Sequence, residues 1–168
     1  MVAKIFSTFM IGFMTKKVNH TEAVGIISDW LVGAGIQKLT YFITGWEIWL
    51  LDEETVEFKL VAAELTVPNI EVWRNSFSAL PIDLLDTNEP DDVIIAAHLF
   101  SAFNKSRVEE VSLNETGDLI LRFNNLVVIR AEAKVDLVDW AWSLKNTSTN
   151  KVLTCDSGPL FLSHEDRI

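Results

Sequence analysis

Five carboxylates lie within ten residues near the middle of the chain, beside four apolar side chains. The carboxylates belong to Asp83, Asp86, Glu89, Asp91 and Asp92, and the apolar side chains to Leu80, Ile82, Leu84 and Leu85. Carboxylates around apolar groups can pair with the cations of a partner while the apolar groups exclude water. This acidic connector is therefore a candidate surface for a basic protein partner. The alternative is a solvated linker whose last acidic residues begin a helix.

The single cysteine, Cys155, could serve as a nucleophile. A reactive thiol needs a neighbouring cation to stabilise the thiolate, but Cys155 is followed by Asp156 and has no histidine or lysine near it in sequence. One cysteine also excludes an intrachain disulfide, which fits a reducing compartment. We therefore expect a cytoplasmic protein whose thiol takes no part in catalysis.

Metal and cofactor chemistry finds little support in the residue spacing. The three histidines, His20, His98 and His164, are isolated, and neither a paired-histidine nor a paired-cysteine motif is present. The glycines of Gly33-Ala34-Gly35 follow a helix rather than a strand, which is the wrong order for a phosphate-binding loop. The sequence therefore predicts no metal and no cofactor.

Two tryptophans, Trp140 and Trp142, are also candidates for partner binding. Their spacing of two places them on one face of a strand. An exposed aromatic pair is typical of an interface, whereas the alternative is that both rings pack in the core.

The net charge restricts the kind of partner. The chain has 168 residues, with 24 acidic and 14 basic side chains and a net charge of −10. This charge disfavours binding to nucleic acid and to anionic membranes, and it attracts basic proteins. Solubility alone is the alternative reason for such a charge.

The apolar run Ile5–Met14 is too short to span a bilayer and indicates a buried strand.

The second half of the chain resembles the first at an offset of 72 residues. Residues 36–45 match 108–117 in their apolar positions and turn glycine, and the match continues to Val56 and Val128. Each half predicts a helix followed by a glycine-centred β-hairpin, with turns at Asp52-Glu53-Glu54 and Asn124-Asn125. Thr21 is expected to cap the first helix and Asn88 the second, which would run from Pro90 to Phe103.

These patterns predict a single domain, 1–168, of the α+β class. Two related units, residues 21–73 and 90–144, would join into one antiparallel sheet or two packed sheets covered by two helices. The remainder after residue 145 is expected to be a polar loop, a short strand over 152–154 and a loose tail.

Two short segments resemble the histidine and nucleophile segments of trypsin-like proteases. They are Ala96-Ala97-His98 and Thr154-Cys155-Asp156-Ser157-Gly158-Pro159. The second glycine of the family motif is missing before Pro159, and the 59 positions between His98 and Ser157 are too few for the two-barrel fold. The resemblance therefore does not indicate a protease, and the sequence favours a non-catalytic role.

A second resemblance involves the second half of the chain. The stretch Val111-Ser112-Leu113, the hairpin from Gly117 to Asn125, and Trp142-Ser143-Leu144 resemble small acidic bacterial immunity-type proteins and uncharacterised α+β proteins of similar size. The resemblance implies a toxin-binding immunity role and carries over no functional residue.

Taken together, these features predict a non-catalytic protein whose acidic surface neutralises a basic partner such as a bacterial toxin. One rival function is a small-ligand module or small enzyme with its site between the two halves. Another is a structural subunit that dimerises through strand edges, so the chain would be a monomer or a homodimer. The positions that are similar in the two halves serve packing. We therefore expect residues with a specific function at positions where the two halves differ.

Overall fold

A computed structural model describes residues 15–42, 45–66, 106–135 and 140–165. Over these ranges the chain forms one helix and eleven strands. The elements are β1 (Lys16–Val18), α1 (His20–Leu31), β2 (Gly35–Phe42), β3 (Gly45–Leu51), β4 (Thr55–Leu60), β5 (Ala63–Thr66), β6 (Val108–Leu113), β7 (Leu119–Phe123), β8 (Val128–Ala131), β9 (Trp142–Asn146), β10 (Lys151–Cys155) and β11 (Leu160–His164).

The helix α1 forms where apolar residues recur at helical spacing. Ala23, Ile27 and Leu31 are buried on one face. Asn19 caps the helix, since its side chain accepts a hydrogen bond from the backbone N–H of Glu22 at 2.9 Å. The prediction that Thr21 is the cap was wrong by two residues, because Asn19 already offers the oxygen that the first free N–H groups need.

All strand pairs in the described part of the chain are antiparallel, and they form two sheets. The larger sheet has the order β1-β11-β10-β9-β4-β3-β2, and the smaller sheet has the order β5-β8-β7-β6. Inward side chains of both sheets and of α1 belong to one apolar core, which includes Phe58, Leu121 and Leu144 with no accessible surface. Burying such side chains is the main favourable contribution to folding.

The expected α+β class with two helices is wrong, because the described chain is mainly β with a single helix. The larger sheet also includes β9, β10 and β11: the short strand predicted over 152–154 lies within β10, whereas β11 was not predicted. Lys145–Lys151 is largely the tight turn between β9 and β10, so its polar residues do not interrupt the sheet. The second predicted helix, from Pro90 to Phe103, and the strand Ile5–Met14 lie outside the described residues.

Strands β2, β3 and β4 stand at an offset of about 72 from β6, β7 and β8. Each set forms a meander, and the first hairpin of each set has a bulge, between Ile36 and Lys38 and between Val108 and Glu110. The repeat units 21–73 and 90–144 both include residues outside the described ranges, so the repeat as a whole stays a prediction.

Glycine is required at the two turn positions that match at the offset of 72, because another part of the backbone lies very close to each. Gly45 and Gly117 have φ angles of 149° and 93°. A Cβ at Gly45 would lie 2.3 Å from the carbonyl oxygen of Leu60, and one at Gly117 would lie 3.0 Å from that of Gly158. A side chain at either position would collide with or crowd the neighbouring backbone, which explains the residue type.

Candidate functional site

The sequence-predicted site residues do not come together in the described part of the chain. Asp83, Asp86, Glu89, Asp91 and Asp92 lie outside the described residues, so the acidic connector stays a prediction, and His98 lies outside them as well. Trp140 and Trp142 are described, but their environments differ. Trp140 precedes β9 and is 39% exposed, whereas Trp142 is the first residue of β9 and has no accessible surface.

Trp142 belongs to a buried polar junction rather than to a surface. Its indole Nε1 donates to the carbonyl oxygen of Gly117 at 3.2 Å. The Cys155 thiol lies 3.6 Å from the carbonyl oxygen of Ala133 and 4.0 Å from that of Gly117. A side chain enclosed in this way does not contact a partner, so Trp142 serves packing in this structure.

The environment of Cys155 makes it a poor nucleophile. Burial raises the pKa of the thiol to about 11, and the nearby carboxylates of Asp156 and Asp118 add to the increase. The backbone hydrogen bond from Gly158 lowers the pKa of the thiol, but by less than burial raises it. The thiolate, which is the reactive form, is therefore scarce at neutral pH.

We predict that Cys155 reacts slowly with a chromogenic disulfide reagent at neutral pH. A pKa near 11 leaves about a hundredfold less thiolate than an ordinary cysteine has, and burial slows the reaction further. The measurement is the rate of thiol release in native buffer against the rate in concentrated urea, with the same chain as its own control. Equal rates in the two solutions would show that Cys155 is accessible and activated.

The two meanders meet at an isolated antiparallel bridge between Gly35 and Arg107. These two positions are themselves 72 residues apart. Around the bridge, the N–H of Val108 donates to the carbonyl oxygen of Ala34 at 2.9 Å, and the N–H of Gly33 donates to that of Val108 at 2.8 Å. We call this junction the seam.

Arg107 connects the seam to the turns of both meanders. Its Nη1 donates to the carbonyl oxygen of Gly33 at 2.5 Å and lies 3.5 Å from Oδ1 of Asp52. Its backbone N–H donates to Oδ1 of Asn124 at 3.1 Å, and its carbonyl oxygen accepts from the N–H of Asn124 at 3.0 Å. The β3–β4 turn and the β7–β8 turn are therefore both anchored to Arg107.

The two turns correspond at the offset of 72 but differ in chemistry. Asp52-Glu53-Glu54 stands in the first meander where Asn124-Asn125-Leu126 stands in the second. Every residue of the first turn carries a negative charge and is exposed, whereas the second turn is neutral and presents an apolar side chain. The meanders therefore differ in charge at three consecutive positions beside the seam.

Leu126 is held in a conformation and an environment that leucine rarely adopts. Its φ is 68°, and 72% of its surface is exposed. Its N–H donates to the carbonyl oxygen of Phe123 at 2.9 Å, which makes it the left-handed residue that closes a three-residue hairpin loop. Glycine or asparagine is usual there, and leucine costs about 1 kcal/mol. Fold stability therefore does not explain why leucine occupies this position.

A cleft of about 440 Å³ opens at the seam. Among the described residues, those that line it are Gly35, Ile36, Gln37, Leu51, Asp52, Ser106 and Arg107. Gln37 is the extra residue of the β2 bulge and has no partner in the β3 register, and bulges often redirect a side chain toward a site. We call the cleft and the turns 52–54 and 124–126 together the seam surface.

The charge of the seam surface is negative overall. Arg107 is partly neutralised by Asp52, and both side chains are at least half exposed. Glu54 accepts a hydrogen bond from the amide of the buried Asn146, which fixes the turn against the β9–β10 loop. Glu53 makes no hydrogen bond or ion pair with a described residue, so its carboxylate is available to a partner.

A second cleft, of about 460 Å³, lies beside Asp118 and Arg130. Both nitrogens Nε and Nη2 of Arg130 donate to Oδ2 of Asp118, at 3.0 and 2.7 Å, and Asn114 donates to the same oxygen at 2.8 Å. The N–H of Ala133 donates to Oδ1 at 2.8 Å. This carboxylate is already occupied by donors within the chain, so we interpret the pair as structural.

Over the described ranges, histidine, cysteine, aspartate and glutamate side chains do not gather in groups of three or more as metal ligands would. Within the same ranges, no helix combines the length and the apolar character needed to cross a membrane.

Comparison of the chain with protein families, with characterised proteins and with solved structures finds no match. The candidate site therefore depends on geometry alone. Sequence reasoning noted both turns and considered a site between the two halves, but it named no residue of the seam surface. Aligning the chain with itself at an offset of 72 sets Asp52-Glu53-Glu54 directly against Asn124-Asn125-Leu126.

Proposed function

We propose that the chain is a non-catalytic binding protein whose acidic surface holds a basic protein, as an immunity-type protein holds a toxin. The partner's cations would pair with surface carboxylates, and apolar contacts would exclude water, so that binding occludes a functional surface of the partner. We place this activity in a reducing compartment such as the cytoplasm, since Cys155 has no disulfide partner within the chain.

The observation that supports this proposal is the excess of unpaired surface carboxylates. The described ranges contain 15 acidic and 10 basic residues. Six exposed carboxylates make neither an ion pair nor a side-chain hydrogen bond with a described residue, namely Asp29, Glu53, Glu109, Glu115, Glu132 and Asp156. Unpaired charges of one sign attract a partner of the opposite sign and accelerate its encounter.

We predict that association with the partner depends strongly on salt. A basic protein retained from a lysate of the native organism at low ionic strength would be eluted by salt, identified and purified. Its association rate is expected to fall roughly tenfold to a hundredfold between low salt and about 0.5 M, because salt screens long-range attraction. The dissociation rate should change much less.

The control is an acidic protein of similar size and net charge, which separates specific association from general attraction between opposite charges. If the control binds the retained protein equally tightly, or if the association rate is indifferent to salt, the proposed function is wrong.

A second candidate function is a small-ligand module, which the cleft at the seam favours. Its volume suits a small molecule, and Arg107 offers a guanidinium to a carboxylate or phosphate. Thermal unfolding in the presence of a metabolite mixture discriminates the two functions, since a ligand that binds the folded chain raises the midpoint without any protein partner.

A further inference from the structure

We propose that the seam surface is where the basic partner docks, and that Leu126 is its apolar anchor. The inference rests on the proposed function and specifies the site and the kind of segment that it accepts. That segment is cationic and carries at least one exposed apolar side chain, which packs on Leu126 while its cations face the turn 52–54.

The first argument concerns Leu126 itself. An exposed leucine at a left-handed position is unfavourable for the fold on two grounds, since its backbone is strained and its side chain faces water. A residue that the fold does not require, projecting from a hairpin tip fixed to Arg107 through Asn124, has the position of a binding anchor.

The second argument concerns the neighbours of Arg107. Of the three large apolar side chains that are exposed in the described ranges, two lie near it in the hydrogen-bond network: Leu126, two residues from Asn124, and Val32, adjacent to Gly33. Val32 is 46% exposed. Each of the two is close in sequence to a residue that Arg107 binds, and exposed apolar side chains among polar groups are typical of an interface.

The third argument concerns charge. The turn beside Arg107 has a formal charge of −3 from Asp52, Glu53 and Glu54. The positive charge of Arg107 offsets one of these three negative charges. A cationic segment complements this surface, whereas an acidic or nucleic-acid segment would be repelled. The cleft beside the turns adds a recess of about 440 Å³ into which one side chain of that segment can fit.

The site is tested first with two synthetic peptides of equal length and positive charge, one alternating lysine with leucine and the other lysine with serine. Amide shifts of the isotope-labelled chain locate each peptide. We expect the lysine–leucine peptide to shift residues 32–37, 52–54, 106–107 and 124–126 and to bind about tenfold more tightly than the lysine–serine peptide. Shifts spread over Glu115, Glu132 and Asp156 would overturn the assigned site.

Variants then separate binding from folding. Leu126→Asn relieves the backbone strain while removing the apolar side chain, so the thermal midpoint should stay or rise while affinity for the lysine–leucine peptide falls about tenfold. Leu126→Met should retain affinity. Unchanged affinity of the Leu126→Asn chain would overturn the role of Leu126.

Charge is tested by Glu53→Gln, with Glu115→Gln as the matched control. Glu53 and Glu115 are both exposed and unpaired within the described ranges. Glu53 lies in the β3–β4 turn of the seam surface, whereas Glu115 lies in the β6–β7 turn, which β7 separates from the β7–β8 turn of the seam surface. We expect Glu53→Gln to weaken binding several-fold and Glu115→Gln to leave it unchanged. Equal effects would overturn the docking site while leaving the proposed function intact, since the proposed function is tested separately, by the salt dependence of association with the native partner and by the acidic control protein.

Discussion

Replacing Trp142 with alanine is expected to lower the free energy of unfolding by roughly 3–5 kcal/mol. The indole is fully buried at the start of β9, and its Nε1 donates to the carbonyl oxygen of Gly117. Truncation removes this hydrogen bond and leaves a cavity between β9 and the Gly117 turn. Urea titration followed by far-ultraviolet circular dichroism measures the loss.

The matched control is Trp140→Ala, which changes the same residue type two positions earlier. Trp140 is 39% exposed and precedes the strand, so we expect a loss of less than about 1 kcal/mol. Similar losses at the two positions would contradict the assignment of Trp142 to the core and Trp140 to the surface.

Replacing Asp118 with asparagine is expected to lower the free energy of unfolding by about 3 kcal/mol at neutral pH. The carboxylate is almost buried and accepts hydrogen bonds from Arg130, Ala133 and Asn114. Asparagine has a single acceptor oxygen and no charge, so at least one buried donor loses its partner.

The ionised Asp118 carboxylate also contributes to the free energy of unfolding in a way that depends on pH, and we expect this contribution to be lost in acid. Burial raises the pKa of Asp118, but the hydrogen bonds from Ala133, Arg130 and Asn114 outweigh burial and lower it below the ordinary value of 3.8. A folded-state pKa below the unfolded one gives stability that is present above pH 3.8 and is lost as the pH falls through the folded-state pKa.

Unfolding free energies of the original chain and of Asp118→Asn, measured from neutral pH down to about pH 3, test this prediction. The difference in unfolding free energy between the original chain and Asp118→Asn should be constant above about pH 5 and should decrease below it. Glu110→Gln is the control, since its ion pair with Arg122 is exposed on both sides and contributes less than about 1 kcal/mol. A gap that does not change with pH would contradict the role of the Asp118 charge.

The sequence predicted the hairpins best, because their signals are local. The turns predicted at 52–54 and 124–125 lie between β3 and β4 and between β7 and β8, since turn residues between alternating apolar segments bound these strands. The existence of two antiparallel sheets was one of the two arrangements considered.

The parts that the sequence could not predict depend on distant partners. β1 has three residues and pairs with β11, about 144 positions later, so neither strand has a strong pattern of its own. The burial of Trp142 follows from the pairing of β9 with both β4 and β10, which no local spacing reveals. The seam surface likewise depends on the Gly35–Arg107 bridge, which brings together two turns that are 72 residues apart.

The insertion of β9 beside β4 has a consequence for synthesis in the cell. Val56 pairs with Asn146, ninety positions later, so β4 emerges from the ribosome roughly 5–20 s before its partner does. During that interval the backbone edge of β4 is unpaired. The side chains of Val56, Phe58 and Leu60 in this strand, which are buried in the finished core, are then not yet covered by β9. Until β9 has been synthesised and has paired with β4, this edge is therefore open to aggregation with another chain.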